Sequence, residues 1–320
     1  RRNSSCKRNC KNGGKRMKKF SKIIACMFIL TNLFFYCSVA KADDSDTNII
    51  ELYDYETGQT SNVYIPNSGT SFLPASGIAV DTPSPTKIIG DDNQWRAPKS
   101  DYPYTAVMFL AILYDSGRIS TGTGFLVGSN VMITAGHNFK TIEYGYLETA
   151  TQVRVFPTMN APSPDMIYSL DAFEGEWCYP KSWALGRNSS VPTSSYSNEN
   201  DWAIVKLKKN YGDQYGYFGV TSSGPDYPGV NVTGYPSNPQ KSYYIYTSYD
   251  LVKDYTNSII NYYTDTEGGN SGSPVYNIYS NEPMPIAIGV HIKGEPGAGF
   301  NTGRKFDTTL ISYVNYMLTH

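Results

Sequence analysis

Asp265-Thr266-Glu267-Gly268-Gly269-Asn270-Ser271-Gly272-Ser273-Pro274 is the most informative stretch of this chain. Two glycines stand close before Ser271, and Gly-Ser-Pro follows it. A serine in such a bend can stand clear of its backbone while nearby peptide N–H groups point at one spot. A nucleophile with an oxyanion hole needs that arrangement. Glycine-rich serine turns are also common as plain loops, so the chemistry depends on a histidine and a shielded carboxylate elsewhere.

The chain has three histidines. His320 is the last residue. His137 follows an apolar segment, Phe125 to Val127, a turn at Gly128-Ser129-Asn130, and a second apolar segment, Val131 to Ile133. The pattern ends at Thr134-Ala135-Gly136. A hairpin that delivers a histidine at a strand end suits a general base, and a core histidine satisfied by backbone is the alternative. Asp201 sits where the polar turn Asn198-Glu199-Asn200 hands over to the buried-looking Trp202-Ala203-Ile204-Val205-Lys206-Leu207. A carboxylate there can be shielded and still accept a histidine N–H, or it can cap its own turn.

These segments together resemble the chymotrypsin-fold serine peptidases, and more narrowly the bacterial glutamyl endopeptidases. The matching motifs are Thr134-Ala135-Gly136-His137, Asp201-Trp202-Ala203-Ile204-Val205-Lys206 and Gly268-Gly269-Asn270-Ser271-Gly272-Ser273-Pro274. They occur in the family's order, His, Asp, Ser, over a resemblance that runs from about Ile88 to the C-terminus. The resemblance implies an all-β fold of two six-stranded antiparallel β-barrels with a C-terminal α-helix. It implies Ser271 as nucleophile, His137 as general base and then acid, and Asp201 as the orienting carboxylate. The N–H groups of Gly269 and Ser271 would form the oxyanion hole. A non-catalytic binder or toxin-like homologue on the same scaffold is the competing identity.

Specificity is divided between two groups of residues. In glutamyl endopeptidases a histidine matching His291 lines the primary pocket and meets the substrate carboxylate, assisted by a threonine matching Thr266 and by the mature α-amine, here Ile88. Imidazole and hydroxyl can both donate to a carboxylate, and Lys293 adds positive charge. Asp265 points the other way, because six residues before the serine an aspartate in trypsin-like enzymes selects Arg or Lys. Glu, with Asp second, is the expected preference, since His291 and Thr266 have no role in the basic reading.

The first 87 residues read as material outside the peptidase domain. Residues 1–16 are polar and basic with no methionine, as upstream sequence would be. Residues 17–42 carry Lys18, Lys19 and Lys22, an apolar stretch from Ile23 to Val39, and the small-x-small Ala40-Lys41-Ala42, the pattern of a secretory signal. Residues 43–87, with Pro66, Pro74, Pro83 and Pro85 and few long apolar runs, read as an exposed, weakly structured propeptide. Lys87-Ile88-Ile89-Gly90 resembles an activation junction, so an activating protease is an expected partner. A plain linker is the alternative.

Residues 88–320 then form a single peptidase domain, large enough for a substantial core. It holds 15 Lys plus Arg against 21 Asp plus Glu, a net charge of −6. An acidic domain gives no footing for nucleic acid, which needs a basic face. A monomer acting on proteins or peptides is expected. Of five cysteines only Cys178 falls here, so no disulfide is possible within the domain. No metal-ligand cluster or cofactor motif is present in the sequence, and a structural calcium ion is open but not indicated. Short β-branched and aromatic runs at 104–113, 124–127, 131–134, 152–156, 202–207, 229–235, 242–247, 274–276 and 286–292 predict strands. Leu310, Ile311, Val314, Met317 and Leu318 predict a terminal helix capped by Asp307 or Thr308.

Overall fold

The computed structural model describes residues 48–54, 57–65, 92–143, 146–158, 175–183, 198–225, 228–241, 244–278, 284–295 and 299–320. In chain order the first strands are β1 (Ile49–Asp54), β2 (Gln59–Tyr64), β3 (Trp95–Arg96), β4 (Val107–Tyr114), β5 (Ile119–Leu126) and β6 (Val131–Thr134). Then come β7 (Lys140–Glu143), β8 (Tyr146–Pro157), β9 (Gly175–Pro180), β10 (Ala203–Leu207) and β11 (Gly219–Val220). The last are β12 (Gly229–Gly234), β13 (Tyr246–Tyr255), β14 (Ile259–Tyr262), β15 (Pro274–Asn277), β16 (Ile286–Glu295) and β17 (Phe300–Lys305). A helix, Thr308–Thr319, ends the chain.

Two barrel-like sheets result. The first runs β2-β1-β9-β10-β6-β5-β4-β8-β7. Its six central members match the expected strand number, with β9 not among the strands expected from sequence, and β7 and the β1–β2 hairpin extend the two ends. The second runs β11-β16-β15-β12-β13-β14-β17 and closes through β16 against β17, a six-stranded barrel with β11 and β3 added at its sides. β4 (Val-Met-Phe-Leu-Ala-Ile-Leu-Tyr) is buried at seven of its eight positions. Such a strand needs cover on both faces, and it lies between β5 and β8 in a long antiparallel ladder.

Aromatic contacts join the two sheets. Phe109 of β4 meets Tyr235 edge-on at 5.6 Å, and Phe218 bridges Phe125 at 5.4 Å and Tyr276 at 5.1 Å. The Asp307 carboxylate accepts the Leu310 N–H at 2.8 Å and starts the terminal helix, as its sequence predicted. That helix lays Tyr313 on Trp202 with ring centroids 4.9 Å apart, backing the segment that carries Asp201.

Residues 48–54 and 57–65 depart from expectation. They are not weakly structured: β1 and β2 form a hairpin, and β1 pairs with β9 from Ile50 to Asp54. Ile50 is fully buried, Leu52 and Val63 pack against the main core, and Ile65 closes the hairpin by donating to Asn48. Isolated apolar residues among polar ones looked like a loop, yet period-two alternation is what a half-buried edge needs. The segments read as residues 1–16 and 17–42, and the junction at Lys87-Ile88, lie outside the described residues.

Candidate active site

The β6 strand ends at Thr134 and a single tight turn, Gly136–Asn138, presents His137. Asp201 follows a similar turn, Asn198–Asn200, just before β10. β10 pairs with β6 from Ala203 opposite Thr134 to Lys206 opposite Val131, so the two turns emerge at the same sheet end. The result is a two-point contact. Asp201 Oδ2 lies 2.8 Å from His137 Nδ1, and Oδ1 accepts the His137 backbone N–H at 2.8 Å. Asp201 is 7% exposed. A carboxylate so shielded and doubly engaged fixes the ring and keeps a proton on Nδ1, leaving Nε2 to act as a base.

The serine loop belongs to the second barrel but is held by the first. The Ser271 carbonyl accepts the Thr123 N–H at 2.9 Å and the Asn138 amide at 3.1 Å. Thr123 Oγ1 donates to the Gly269 carbonyl at 2.8 Å and itself accepts the Tyr235 N–H at 3.0 Å. Asn138, next to His137, also donates to Thr134 Oγ1. The histidine turn and the serine turn are therefore fastened to each other through side chains that sequence reasoning did not single out. Asn138 directly follows the histidine motif, whereas Thr123 carried no signal.

Glycine is needed twice here. Gly269 and Gly272 both have φ near +91°, a left-handed value costly for other residues. A Cβ on Gly272 would meet the Thr123 carbonyl oxygen at 2.0 Å and Thr134 Oγ1 at 2.1 Å. Within the loop, the amides of Asn270, Gly272 and Ser273 donate to Glu267, His291 and Asn270. The amides of Gly269 and Ser271 find no protein acceptor among the described residues. Two such donors flanking a serine can hold an oxyanion.

His291 lies on β16, where its N–H donates to the Ser273 carbonyl and its own carbonyl accepts from Gly272. It is 2% exposed, and burial, reinforced by the neighbouring His137, holds its imidazolium down to about 3. Tyr262 on β14 lies 2.6 Å from His291 Nδ1. Burial raises the Tyr262 phenol well above its ordinary value, so it keeps its proton. The phenol then donates to Nδ1, and the ring carries its own hydrogen on Nε2. His291 is thus a neutral donor. Tyr262 was not foreseen.

Asp265 is turned toward the chain's N-terminal side. Its carboxylate accepts the Asn93 N–H at 2.9 Å, and its carbonyl accepts from Gln94 and Ser248. Lys241 completes the tie by donating to Asp92 at 2.5 Å, and to Gln94 and Glu267 at 2.9 Å each. Thr266 is half-buried between these two anchored neighbours. Ile88 lies outside the described residues. Cys178 is fully buried, and burial raises its thiol to about 12, which leaves it unreactive.

Residues 122–284 match the family model described as a trypsin-like peptidase domain, a span that includes His137, Asp201 and Ser271. A Bacillus subtilis protein named extracellular metalloprotease is 30% identical over 243 residues, 74% of this chain and 71% of that protein. The glutamyl endopeptidase of Bacillus licheniformis is 27% identical over 227 residues, 68% of this chain and 65% of that protein. A solved structure of a Glu endopeptidase in complex with MPD shares the fold, with a TM-score of 0.56 at 21% identity over 73% of this chain and 100% of that chain. One relative's name refers to a metal. Among the described residues no three His, Cys, Asp or Glu side chains are grouped to hold one, and His137 and His291 are each engaged by Asp201 and Tyr262.

Proposed function

The chain belongs to the trypsin-like serine peptidases, and on that premise we propose that it is a secreted endopeptidase, made as a zymogen, that cuts after glutamate and secondarily aspartate. Ser271 Oγ attacks the scissile carbonyl carbon while His137 Nε2 takes its proton. The tetrahedral oxyanion sits between the Gly269 and Ser271 N–H groups, each such donor worth about 3 kcal/mol of barrier. His137 then protonates the leaving amine and the C–N bond breaks. A water attacks the acyl-enzyme with His137 again as base, and Ser271 is regenerated with its hydrogen. Side chains, backbone N–H groups and water supply these steps.

The observation that carries this assignment is the His137–Asp201 contact on a turn that Asn138 fastens to the Ser271 carbonyl. Labelling by a fluorophosphonate probe, abolished by Ser271→Ala, is the expected result. An unlabelled wild-type chain would favour a binding protein on this scaffold.

Glutamate preference is supported by the neutral His291 donor, whose uncharged state needs no buried counter-ion, with Thr266 and the α-amine of Ile88 as further donors. The glutamyl endopeptidase relative points the same way. A basic preference set by Asp265 is disfavoured because that carboxylate is already engaged by Asn93. A Glu-containing reporter is expected to be cleaved far faster than an Arg one, and the reverse ranking would overturn the assignment. Activation at Lys87-Ile88 by a second protease, and action as a monomer, complete the proposal. N-terminal sequencing of the secreted product tests the junction.

A further inference from the structure

We propose that the hairpin of β1 and β2 stays docked on the outer edge of β9 after the chain is cut, so that the working enzyme is a two-chain protein completed by its own pro-segment. This rests on the proposal that activation cuts the chain between the hairpin and residue 92, but not on where in that interval the cut falls.

The docking surface is the free edge of β9 together with its side chains. Five register pairs, from Ile50 opposite Pro180 to Asp54 opposite Glu176, join β1 to β9 in antiparallel fashion. On its other side β1 pairs with β2 along its whole length, so β1 lies between two partners and its backbone groups are used in both directions. β2 blunts the outer edge, with Gln59, Thr60, Ser61 and Asn62 exposed. An added strand of this kind draws affinity from main-chain bonds and selectivity from the alternate side chains.

Those side chains are specific to this pairing. The Tyr53 ring stacks on Trp177 with centroids 4.5 Å apart and planes 21° from parallel. The Tyr179 hydroxyl donates to the Glu51 carboxylate at 3.0 Å. Leu52 is the register partner of Cys178. Trp177, Cys178 and Tyr179 are 1%, 0% and 3% exposed with the hairpin in place. Releasing the hairpin would bare the edge of β9 and uncover large aromatic surface, which soluble domains avoid. A cut in the connecting residues breaks none of these contacts.

The experiment uses the full chain carrying Ser271→Ala to prevent self-digestion, with residues 84–87 replaced by the recognition sequence of a site-specific processing protease. The chain is cut in vitro and passed over a native sizing column. The N-terminal fragment is expected to co-elute with residues 88–320 in equal amounts and to separate only in denaturant. In the same complex, mass-spectrometric mapping after treatment with a maleimide is expected to show Cys178 unlabelled. The double variant Ile50→Asp, Leu52→Asp should release the fragment after cutting and raise Cys178 labelling at least about 100-fold, as local opening governs access to a buried group. Separation of the unmodified fragment from the cut protein on the native column would overturn the proposal. So would co-elution that the double variant leaves unchanged. A secreted product beginning far from Ile88 would count against the activation site alone and leave the docking result intact.

Discussion

Asp201→Asn isolates the role of the carboxylate with little change in shape. Asp201 makes two bonds, with Oδ1 accepting the His137 backbone N–H and Oδ2 facing Nδ1, each at 2.8 Å. An asparagine can sit in two orientations. With its oxygen on Nδ1, the amide nitrogen opposes the backbone N–H and leaves a buried donor unpaired, at a cost of about 1–3 kcal/mol. With its oxygen on the backbone N–H, the amide nitrogen donates to Nδ1, and both bonds survive if the ring proton moves to Nε2. The second orientation wins. It keeps the turn in place, so stability should change by no more than about 1 kcal/mol. It also puts a hydrogen on the atom that must accept the Ser271 proton. The expected loss in kcat is about 10⁴-fold, roughly 5 kcal/mol of barrier. The assay is steady-state cleavage of a Glu reporter beside thermal unfolding of both proteins. A variant within about tenfold of wild type, with unchanged Tm, would refute the tautomer reasoning.

Gly272→Ala should destabilise the fold by about 4 kcal/mol, from overpacking against Thr123 and Thr134 plus left-handed strain. A serine displaced by about 1 Å should lose about 10²-fold in kcat, and an unaltered Tm in a thermal melt would contradict the close contact. His291 is held at about 3 in the folded protein against an ordinary 6.5 when unfolded, so between those values the unfolded chain binds a proton that the native one does not. Stability from this group is full above pH 6.5 and is lost as pH falls toward 3, at up to about 1.4 kcal/mol per pH unit. Denaturation midpoints of wild type and His291→Gln measured from pH 7 to 4 should converge as pH falls, and parallel curves would refute the burial argument. Tyr262→Phe removes the donor that fixes the His291 tautomer. It should raise KM for a Glu reporter about tenfold with a smaller change in kcat, whereas an unchanged Glu-to-Arg preference would show that the tautomer does not matter.

What could be read from sequence follows how local each feature is. The Ser, His and Asp motifs are short runs whose turns are set by their own glycines and strand ends, so the motifs themselves marked turns that the fold fastens to one another. The strand at 131–134 was legible for the same reason, as a fully apolar run before a small-residue corner. β13 was legible only in part, because its Asp250 to Tyr255 half interrupts Leu251 and Val252 with charged residues on a largely exposed ribbon. β17, Phe-Asn-Thr-Gly-Arg-Lys, gave too little apolar pattern to stand out, whereas β14, apolar at three of its four positions, was overlooked. Tyr262 could not be found in sequence, being one of 28 tyrosines and reaching His291 across the intervening β17. Lys241 likewise gains its meaning only when Asp92, Gln94 and Glu267, distant in sequence, converge on its ammonium.

That convergence bears on the conflict between Asp265 and His291. Position alone makes Asp265 a candidate to select a basic side chain, and nothing in its local sequence argues otherwise. The fold supplies the argument, since the Asn93 N–H binds the carboxylate while Lys241 binds Glu267 two residues later. Thr266 is therefore set between two anchored neighbours by residues 92–94, which follow the proposed cut by only a few positions. A strap so close to a new chain end would couple cleavage to the shape of the loop just ahead of Ser271. On that loop the Asp265 carboxylate is held by the Asn93 N–H and Glu267 is paired with Lys241, which leaves the uncharged His291 donor and Thr266 as the groups suited to an acidic side chain.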